Sequence, residues 1–389
     1  MTHWTTKLIH SGAEPAGDFE SLVTPVFRGS TTLFPSAAAV KDDWRQEAGY
    51  TYGLYGTPTT RELAARIAEL EQGERTFLTP GGQAAIALIY FAFAGAGEHV
   101  LVPDSVYGPN RELADDVLRR FGIDVEYYPP LAGAGIEELV RPNTRLVWCE
   151  SPGSVTMEVQ DVPAIAAVAH RHGVTVALDN TYAAGVYFDA FGHGVDVTMQ
   201  ALTKYVGGHS DLLLGSVTVR TVEHYERLGV VHGHLGFAVS PDDCSLALRG
   251  LQTLGVRLRA LEQSALRVAQ WLSERRAIAA VLHPALTSCP GHEVWKRDFT
   301  GSASVFSIVF AEETTHEAIV RFIDALALFK VGYSWGGVTS LAMPWFNLRR
   351  THGTPYGGRL VRLNVGLEDV DDLIADLDQA LHRAGLAVS

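Results

Sequence analysis

Five short apolar runs, at residues 99–102, 125–128, 145–148, 174–178 and 216–219, alternate with segments of helical periodicity such as 162–172. This alternation constrains the fold more than any other feature of the chain. Strands that take turns with helices build a mostly parallel sheet covered on both faces, and runs without a polar side suit strands buried on both sides. After Gly250 the pattern changes. A long amphipathic helix passes through Leu254, Leu258, Leu261 and Leu266, spaced strands follow at 305–310 and 360–365, and a helix rich in Asp and Leu closes the chain. The expected organisation is a large α/β unit, 57–250, and a small α+β unit, 251–389. A chain of 389 residues has room for two cores, since a single core stops growing near about 250 to 300 residues.

Residues 1–56 show no clear period and include Pro15, Pro25 and Pro35, so they read as an extended arm laid over a partner surface. The regular fold is expected to begin with a helix capped by Thr59 and Glu62, with Leu63, Ile67 and Leu70 on one face and Gly73 as its stop.

Composition excludes several functions. With 44 acidic against 31 basic side chains the net charge is -13, a field that repels polyanions and that no basic run reverses, so nucleic acid is not an expected partner. Cys149, Cys244 and Cys289 are widely separated and form no C-x-x-C pair, which points away from disulfides and thiolate metal sites and toward a cytoplasmic setting. The N-terminal residues lack the apolar region of a secretory signal. The longest apolar stretch, 84–97, falls short of the ~20 residues that cross a bilayer, so no membrane role is expected.

A few residues have the makings of a site. Ala201-Leu202-Thr203-Lys204-Tyr205 sets a lysine among apolar neighbours just before Gly207, Gly208 and His209. A free lysine, with a pKa of about 10.4, is a poor nucleophile at neutral pH, but desolvation or a nearby cation lowers that value enough for Schiff-base chemistry. On its own the pentapeptide also reads as a surface lysine in a loop. Upstream, the strand at 174–178 ends in Asp179-Asn180-Thr181. A carboxylate at a strand end suits a protonated pyridine nitrogen, with a plain Asx turn as the alternative. Pro80-Gly81-Gly82-Gln83 opens a helix and has the form of a phosphate cradle, or of a simple tight turn. Tyr107 follows another strand, where an aromatic ring either stacks on a cofactor or packs in the core. Arg362 alternates with apolar neighbours in a strand, and its planar fork matches an α-carboxylate or a structural ion-pair partner. No GxxxxGK[ST] loop, strand-linked GxGxxG or HExxH is present, and His232-Gly233-His234 is too slight a signal to predict a metal site.

Taken in this order, these residues resemble the Cys/Met-metabolism family of pyridoxal-phosphate enzymes. The resemblance covers nearly the whole chain. Its strongest stretches are 150–159 (Glu-Ser-Pro-Gly-Ser-Val-Thr-Met-Glu-Val), Leu178-Asp179-Asn180-Thr181, 203–211 (Thr-Lys-Tyr-Val-Gly-Gly-His-Ser-Asp), 249–258 (Arg-Gly-Leu-Gln-Thr-Leu-Gly-Val-Arg-Leu) and 295–301 (Trp-Lys-Arg-Asp-Phe-Thr-Gly). Where members acting on the γ-carbon have a Ser-Leu-Gly-Gly type element, this chain has Tyr333-Ser334-Trp335-Gly336-Gly337, which is similar to the β-eliminating branch.

The resemblance implies an aspartate-aminotransferase-like α/β large domain of fold type I, a small C-terminal domain, and a homotetramer of active dimers in which each site borrows the neighbour's arm. It implies pyridoxal 5'-phosphate held by Lys204, with Asp179 at the pyridine nitrogen, Tyr107 on the ring, and Gly82, Gln83, Thr181, Thr203 and the neighbour's Tyr52 as further cofactor contacts. Lys204 and Tyr107 are the implied catalytic residues. Arg362 and Ser334 would hold the substrate α-carboxylate, with Tyr333 and Trp335 shaping the pocket. The implied activity is carbon–sulfur lysis in methionine metabolism, the β-elimination of L-cystathionine to homocysteine, pyruvate and ammonia. A γ-synthase, a γ-lyase, a cysteine desulfhydrase and a cofactor-binding regulatory protein are the alternatives. One position departs from the pattern: two residues after Tyr52, where the family has an arginine on the phosphate, this chain has Leu54. Either a nearby polar group such as Tyr55 or Arg61 takes the vacant place, or the site holds its cofactor more weakly than relatives with the arginine.

Overall fold

The computed structural model describes residues 3–9, 22–45, 48–351 and 353–386; residues 10–21 of the expected arm, Pro15 among them, lie outside the described residues. A seven-stranded sheet is made of β1 (Arg75–Thr79), β2 (His99–Pro103), β3 (Asp124–Tyr128), β4 (Thr144–Glu150), β5 (Thr175–Asp179), β6 (Val197–Gln200) and β7 (Gly215–Val219). In space the order is β1-β7-β6-β5-β4-β2-β3. The sheet is mostly parallel, as expected; only β7 runs against its neighbours, β1 and β6.

The apolar runs explain the layering. Successive side chains leave a strand on opposite faces, so Leu146 and Trp148 of β4 point to one side and Val147 and Cys149 to the other. On one side Leu146 and Trp148 join Ile86, Ile89 and Phe93 of helix α3 (Gly82–Phe93). On the other, Val147 and Cys149 share a core with helices α2 (Pro58–Glu71), α5 (Val162–Arg171) and α7 (Pro241–Ser273). The remaining helices are α1 (Trp4–Ile9), α4 (Gly108–Leu113), α6 (Val222–Leu235), α8 (His292–Asp298), α9 (His316–Ala325) and α10 (Val370–Arg383).

A second sheet holds β8 (Ile278–Leu282), β9 (Val305–Phe310), β10 (Lys330–Val331), β11 (Leu341–Trp345) and β12 (Leu360–Asn364), in the order β10-β11-β12-β9-β8. Phe322 of α9 and Leu377 of α10 pack on Phe306, Ile308 and Leu363 of this sheet. Residue 250 falls inside α7, which joins the two halves without a linker. Leu254, Leu258 and Leu261 sit in the large-sheet core, whereas Ala265, Val268 and Leu272 sit in the small-sheet core.

The first long helix starts two residues earlier than the sequence pattern suggests. Pro58 takes the first helical position, where a missing N–H costs nothing, so the cap falls on Thr57. Thr57 and Thr60 then form the capping box: Thr60 Oγ1 accepts from Thr57 N at 2.8 Å and Thr57 Oγ1 from Thr60 N at 3.4 Å. Thr59 is used to tie down the arm, donating to Pro25 O and accepting from Phe27 N.

Helix α7 also fixes the loop that follows β6. Gly250 lies so close to this loop that a Cβ would overlap the Val206 carbonyl oxygen. The buried Arg257 donates to Tyr205 O at 2.7 Å and to Gly250 O at 2.8 Å, replacing the hydrogen bonds that a tight loop cannot make within itself. Gly250→Ala is therefore expected to lower stability by about 1–3 kcal/mol, read as a lower denaturant midpoint at unchanged slope. An unchanged midpoint would show that the contact yields freely.

Candidate active site

Open α/β sheets collect ligands beyond the carboxyl ends of their strands. Here β2 leads to Tyr107, β4 ends in Glu150, β5 ends in Asp179, and β6 runs on into Thr203 and Lys204. With the start of α3 they surround a cavity of about 360 Å³. Of the expected site residues, Gly82, Gln83, Tyr107, Asp179, Thr181, Thr203, Lys204, Trp335 and Arg362 all line it.

Lys204 is mostly buried. Its Nζ donates to Ser334 Oγ at 2.8 Å and lies 5.2 Å from the centre of the Trp335 ring. Burial lowers its pKa to about 8, the Arg362 charge pushes the same way, and Asp179 opposes them. Asp179 Oδ1 accepts from Thr181 N at 3.0 Å, and Thr181 Oγ1 accepts from Ala201 N at 2.9 Å, so one threonine ties the β5 and β6 ends together. Burial raises the Asp179 carboxyl, while Thr181 and Lys204 hold it down.

Gly82 is needed for close approach: a Cβ there would stand 2.8 Å from Ala201 Cβ. The first turn of α3 therefore lies directly against the loop that bears Lys204. Its N–H groups have no partner inside the helix and sit at the positive end of the helix dipole, an arrangement suited to an anion. Gln83 Nε2 donates to Pro109 O at 2.9 Å, and Thr203 Oγ1 bonds Leu214 O at 3.1 Å, which fixes both ends of this wall.

Arg362 comes from the small sheet and resolves one of the alternatives left by the sequence. Among the described residues it makes no ion pair; it donates to the carbonyls of Tyr333 and Ser334 and lies 5.7 Å from the Trp345 ring centre. Burial lowers its pKa to about 10. A buried guanidinium with donors to spare and no carboxylate partner is poised for an anion from outside.

Five expected residues stand apart from the cavity. The Tyr333 side chain is 75% exposed, although its carbonyl holds Arg362. Tyr52 is 49% exposed, bridges to Thr31 within the arm, and meets Tyr55 edge-on at 6.4 Å. Leu54, Tyr55 and Arg61 line a separate small cleft with His232. Arg61 Nη2 donates to Gly49 O at 2.6 Å and its guanidinium stacks 4.2 Å over Tyr50, so within one chain neither Tyr55 nor Arg61 reaches the cavity. His232 is buried and bonds Leu78 O at 2.8 Å.

Sequence reasoning missed Glu150, which lines the cavity and accepts from Tyr107 N at 2.8 Å. The signal was available, since a carboxylate ending an apolar strand is the same feature that singled out Asp179. It also missed Arg350, which donates to Asp104 O, Ser154 O and Thr156 Oγ1 and so pins a segment of the C-terminal half onto two cavity loops. That contact spans nearly 200 residues and has no local pattern.

Residues 5–382 match the family model described as Cys/Met metabolism PLP-dependent enzyme. The chain belongs to this family. A putative cystathionine beta-lyase of Rhizobium johnstonii is 48% identical over 97% of this chain and 96% of its own length. The cystathionine beta-lyase MetC of Escherichia coli is 40% identical over 97% of this chain and 98% of its own. The crystal structure of metB from Corynebacterium glutamicum, 28% identical, superposes with a TM-score of 0.90 over 98% of both chains. The expected fold type is thereby borne out. No helix among the described residues is long and apolar enough to cross a membrane.

The residues present suit the family's cofactor. The first turn of α3 offers N–H donors to a phosphate, the buried Asp179 a carboxylate to a cationic ring, and Lys204 a desolvated amine to an aldehyde. If this electrostatic reading holds, cofactor-free protein combines with pyridoxal phosphate at a rate that rises through pH of about 8, where Lys204 loses its proton. A neighbouring cation depresses a lysine, so Arg362→Gln is expected to move that midpoint upward. A midpoint near the ordinary 10.5, or one that Arg362→Gln leaves in place, contradicts it.

Proposed function

We propose that this chain is a carbon–sulfur lyase that cleaves L-cystathionine by β-elimination, releasing homocysteine, pyruvate and ammonia. The observation that supports this most is a desolvated amine, Lys204, held between Arg362 and Asp179 in one cavity of a chain whose full-length relatives include proteins named cystathionine beta-lyase.

In this reading Arg362 binds the substrate α-carboxylate. Its donors face the carbonyls of Tyr333 and Ser334, so an incoming carboxylate supplies the charge that the protein does not. Pyridoxal phosphate, when bound, supplies an electron sink for the charge that develops at Cα. The first turn of α3 and Thr203 hold its phosphate, Asp179 its pyridine nitrogen, and Tyr107 and Thr181 its ring. Lys204 Nζ removes the Cα proton. With a pKa near 8 a useful fraction of the amine is neutral at physiological pH, and Ser334 Oγ keeps it aimed. Tyr107 retains its proton because burial, first of all, and the Asp179 charge raise its pKa, so it acts as a donor toward the departing group. Trp335 walls the cavity and limits water.

The wider arrangement belongs to the same proposal. Residues 1–56 reach a neighbouring subunit, 57–250 bind the cofactor and 251–389 form the small domain, in a homotetramer of active dimers. The arm's exposed Tyr52, Leu22 and Leu33 support a role outside their own chain. A neighbour's Tyr52 then meets the phosphate, and Tyr333 shapes the mouth of the pocket. Three buried free cysteines fit a cytoplasmic enzyme.

The decisive test is to incubate the purified protein with L-cystathionine and identify the keto acid. Pyruvate is expected; 2-oxobutyrate would mean γ-elimination, and no keto acid at all would refute the lyase assignment. Lys204→Ala should lower kcat by at least about a thousandfold. Arg362→Ala should keep the cofactor but raise KM about ten- to a hundredfold, since each charge-assisted hydrogen bond is worth about 1.5–3 kcal/mol.

A further inference from the structure

Two carboxylates end neighbouring strands at the cavity. Glu150 closes β4 and Asp179 closes β5, and they are register partners in a parallel pair, so both side chains leave the sheet on the same face. Both line the cavity. In the reading above Asp179 has a task and Glu150 has none, yet Glu150 is only 6% exposed. A buried glutamate is rare unless it is paired, and among the described residues this one makes no salt bridge.

Its partners are neutral. Oε2 accepts from Tyr107 N at 2.8 Å, and the Glu150 main-chain N–H donates to Gln160 Oε1 at 2.8 Å. The titratable groups that face it are Asp179 from β5, Tyr107 from the turn before α4, Tyr90 from α3, and Arg350 from the segment between β11 and β12. Two adjacent buried acids do not both ionise readily. Asp179 has the Lys204 charge and the Thr181 N–H to favour its anion. Glu150 is pushed the other way, first by burial and then by Asp179 itself.

We propose that Glu150 is a positioning residue of this site: as an uncharged carboxyl it holds the Tyr107 main chain at the start of α4, setting the Tyr107 ring against the cavity and leaving Asp179 as its single anion. The inference rests on the assignment of this cavity to pyridoxal phosphate. It extends that assignment by giving the family's Glu-Ser-Pro-Gly stretch in this chain a physical role.

Two substitutions in the holoenzyme test it. Glu150→Gln keeps the shape, the acceptor for Tyr107 N–H and the absence of charge, whereas Glu150→Ala removes the acceptor. Glu150→Gln should leave the visible circular dichroism of the bound cofactor unchanged and kcat within about threefold of wild type. Glu150→Ala should alter that dichroism and lower kcat about tenfold or more at a nearly constant KM, because the Tyr107 ring has moved.

Thermal unfolding gives a third readout. An acid whose folded pKa is raised binds its proton more tightly in the folded state, so wild type loses stability as pH climbs from the ordinary carboxylate range toward the folded value. Glu150→Gln has no such loss. Its melting temperature should therefore gain on wild type as pH rises from about 5.5 to about 8. The proposal is overturned if Glu150→Gln damages the enzyme as much as Glu150→Ala, if the difference in melting temperature stays flat with pH, or if Glu150→Ala leaves the dichroism untouched. Should Glu150→Ala fail to fold, the glutamine variant still decides through its dichroism and its pH slope. Dichroism and unfolding need only bound cofactor, so they report on Glu150 even if cystathionine proves not to be the substrate.

Discussion

A lysine amine held out of water next to a guanidinium is the constraint around which the site is organised. Lys204 and Arg362 are both cations with little access to water, and the guanidinium makes the amine less comfortable as a charge. The protein offsets this with Asp179 and with neutral acceptors, Ser334 Oγ for the amine and two main-chain carbonyls for the guanidinium. A stable protein would be easier to build with fewer such groups. The arrangement makes sense when an anionic ligand and an aldehyde complete it, one answering the guanidinium and the other the amine.

Holding these groups together requires both halves of the chain. Lys204 and Asp179 come from the large sheet, Arg362 from the small one, and Ser334 from the segment before β11. Three devices lock the halves in register. Helix α7 runs through both cores, Arg257 on that helix satisfies the carbonyls of the Lys204 loop, and Arg350 fastens the C-terminal half to the loops at Asp104 and Ser154. Gly336, at φ +81, holds a backbone conformation that side chains rarely adopt, and a Cβ there would crowd the Lys204 carbonyl carbon at 3.2 Å.

The parts of this account that could be read from sequence are those with a local signature. Strands β2 to β5 and β7 stand out as apolar runs, and Lys204, Asp179 and Arg362 stand out because each is a charge set in an apolar pattern. Strands β1, β6 and β11 escaped notice for physical reasons. β6 is four residues long, β1 begins with Arg75 and Thr76, and β11 contains Pro344. That proline is tolerated because β10 pairs only with Leu341 and Ala342, so no neighbour needs its missing N–H on that side. Arg257 and Arg350 escaped notice because their partners, mostly main-chain groups, are brought near by folding, whereas Glu150 carried the same strand-end signature as Asp179 and was passed over. Thr57 displaced Thr59 as a cap because Pro58 fits only the first helical position. Tyr52 and Tyr333 lie off the cavity of their own chain.

The central claim is that Lys204 is the amine that bears the cofactor. The chain has five lysines, at positions 7, 41, 204, 296 and 330, which makes the claim easy to isolate. Reduction of the holoenzyme with borohydride, followed by proteolysis and mass spectrometry, locates the covalently trapped pyridoxyl group. This account predicts the label on the peptide containing Thr203-Lys204-Tyr205, in about one equivalent per chain. A label on Lys41, Lys296 or Lys330, with Lys204 unmodified, would contradict it.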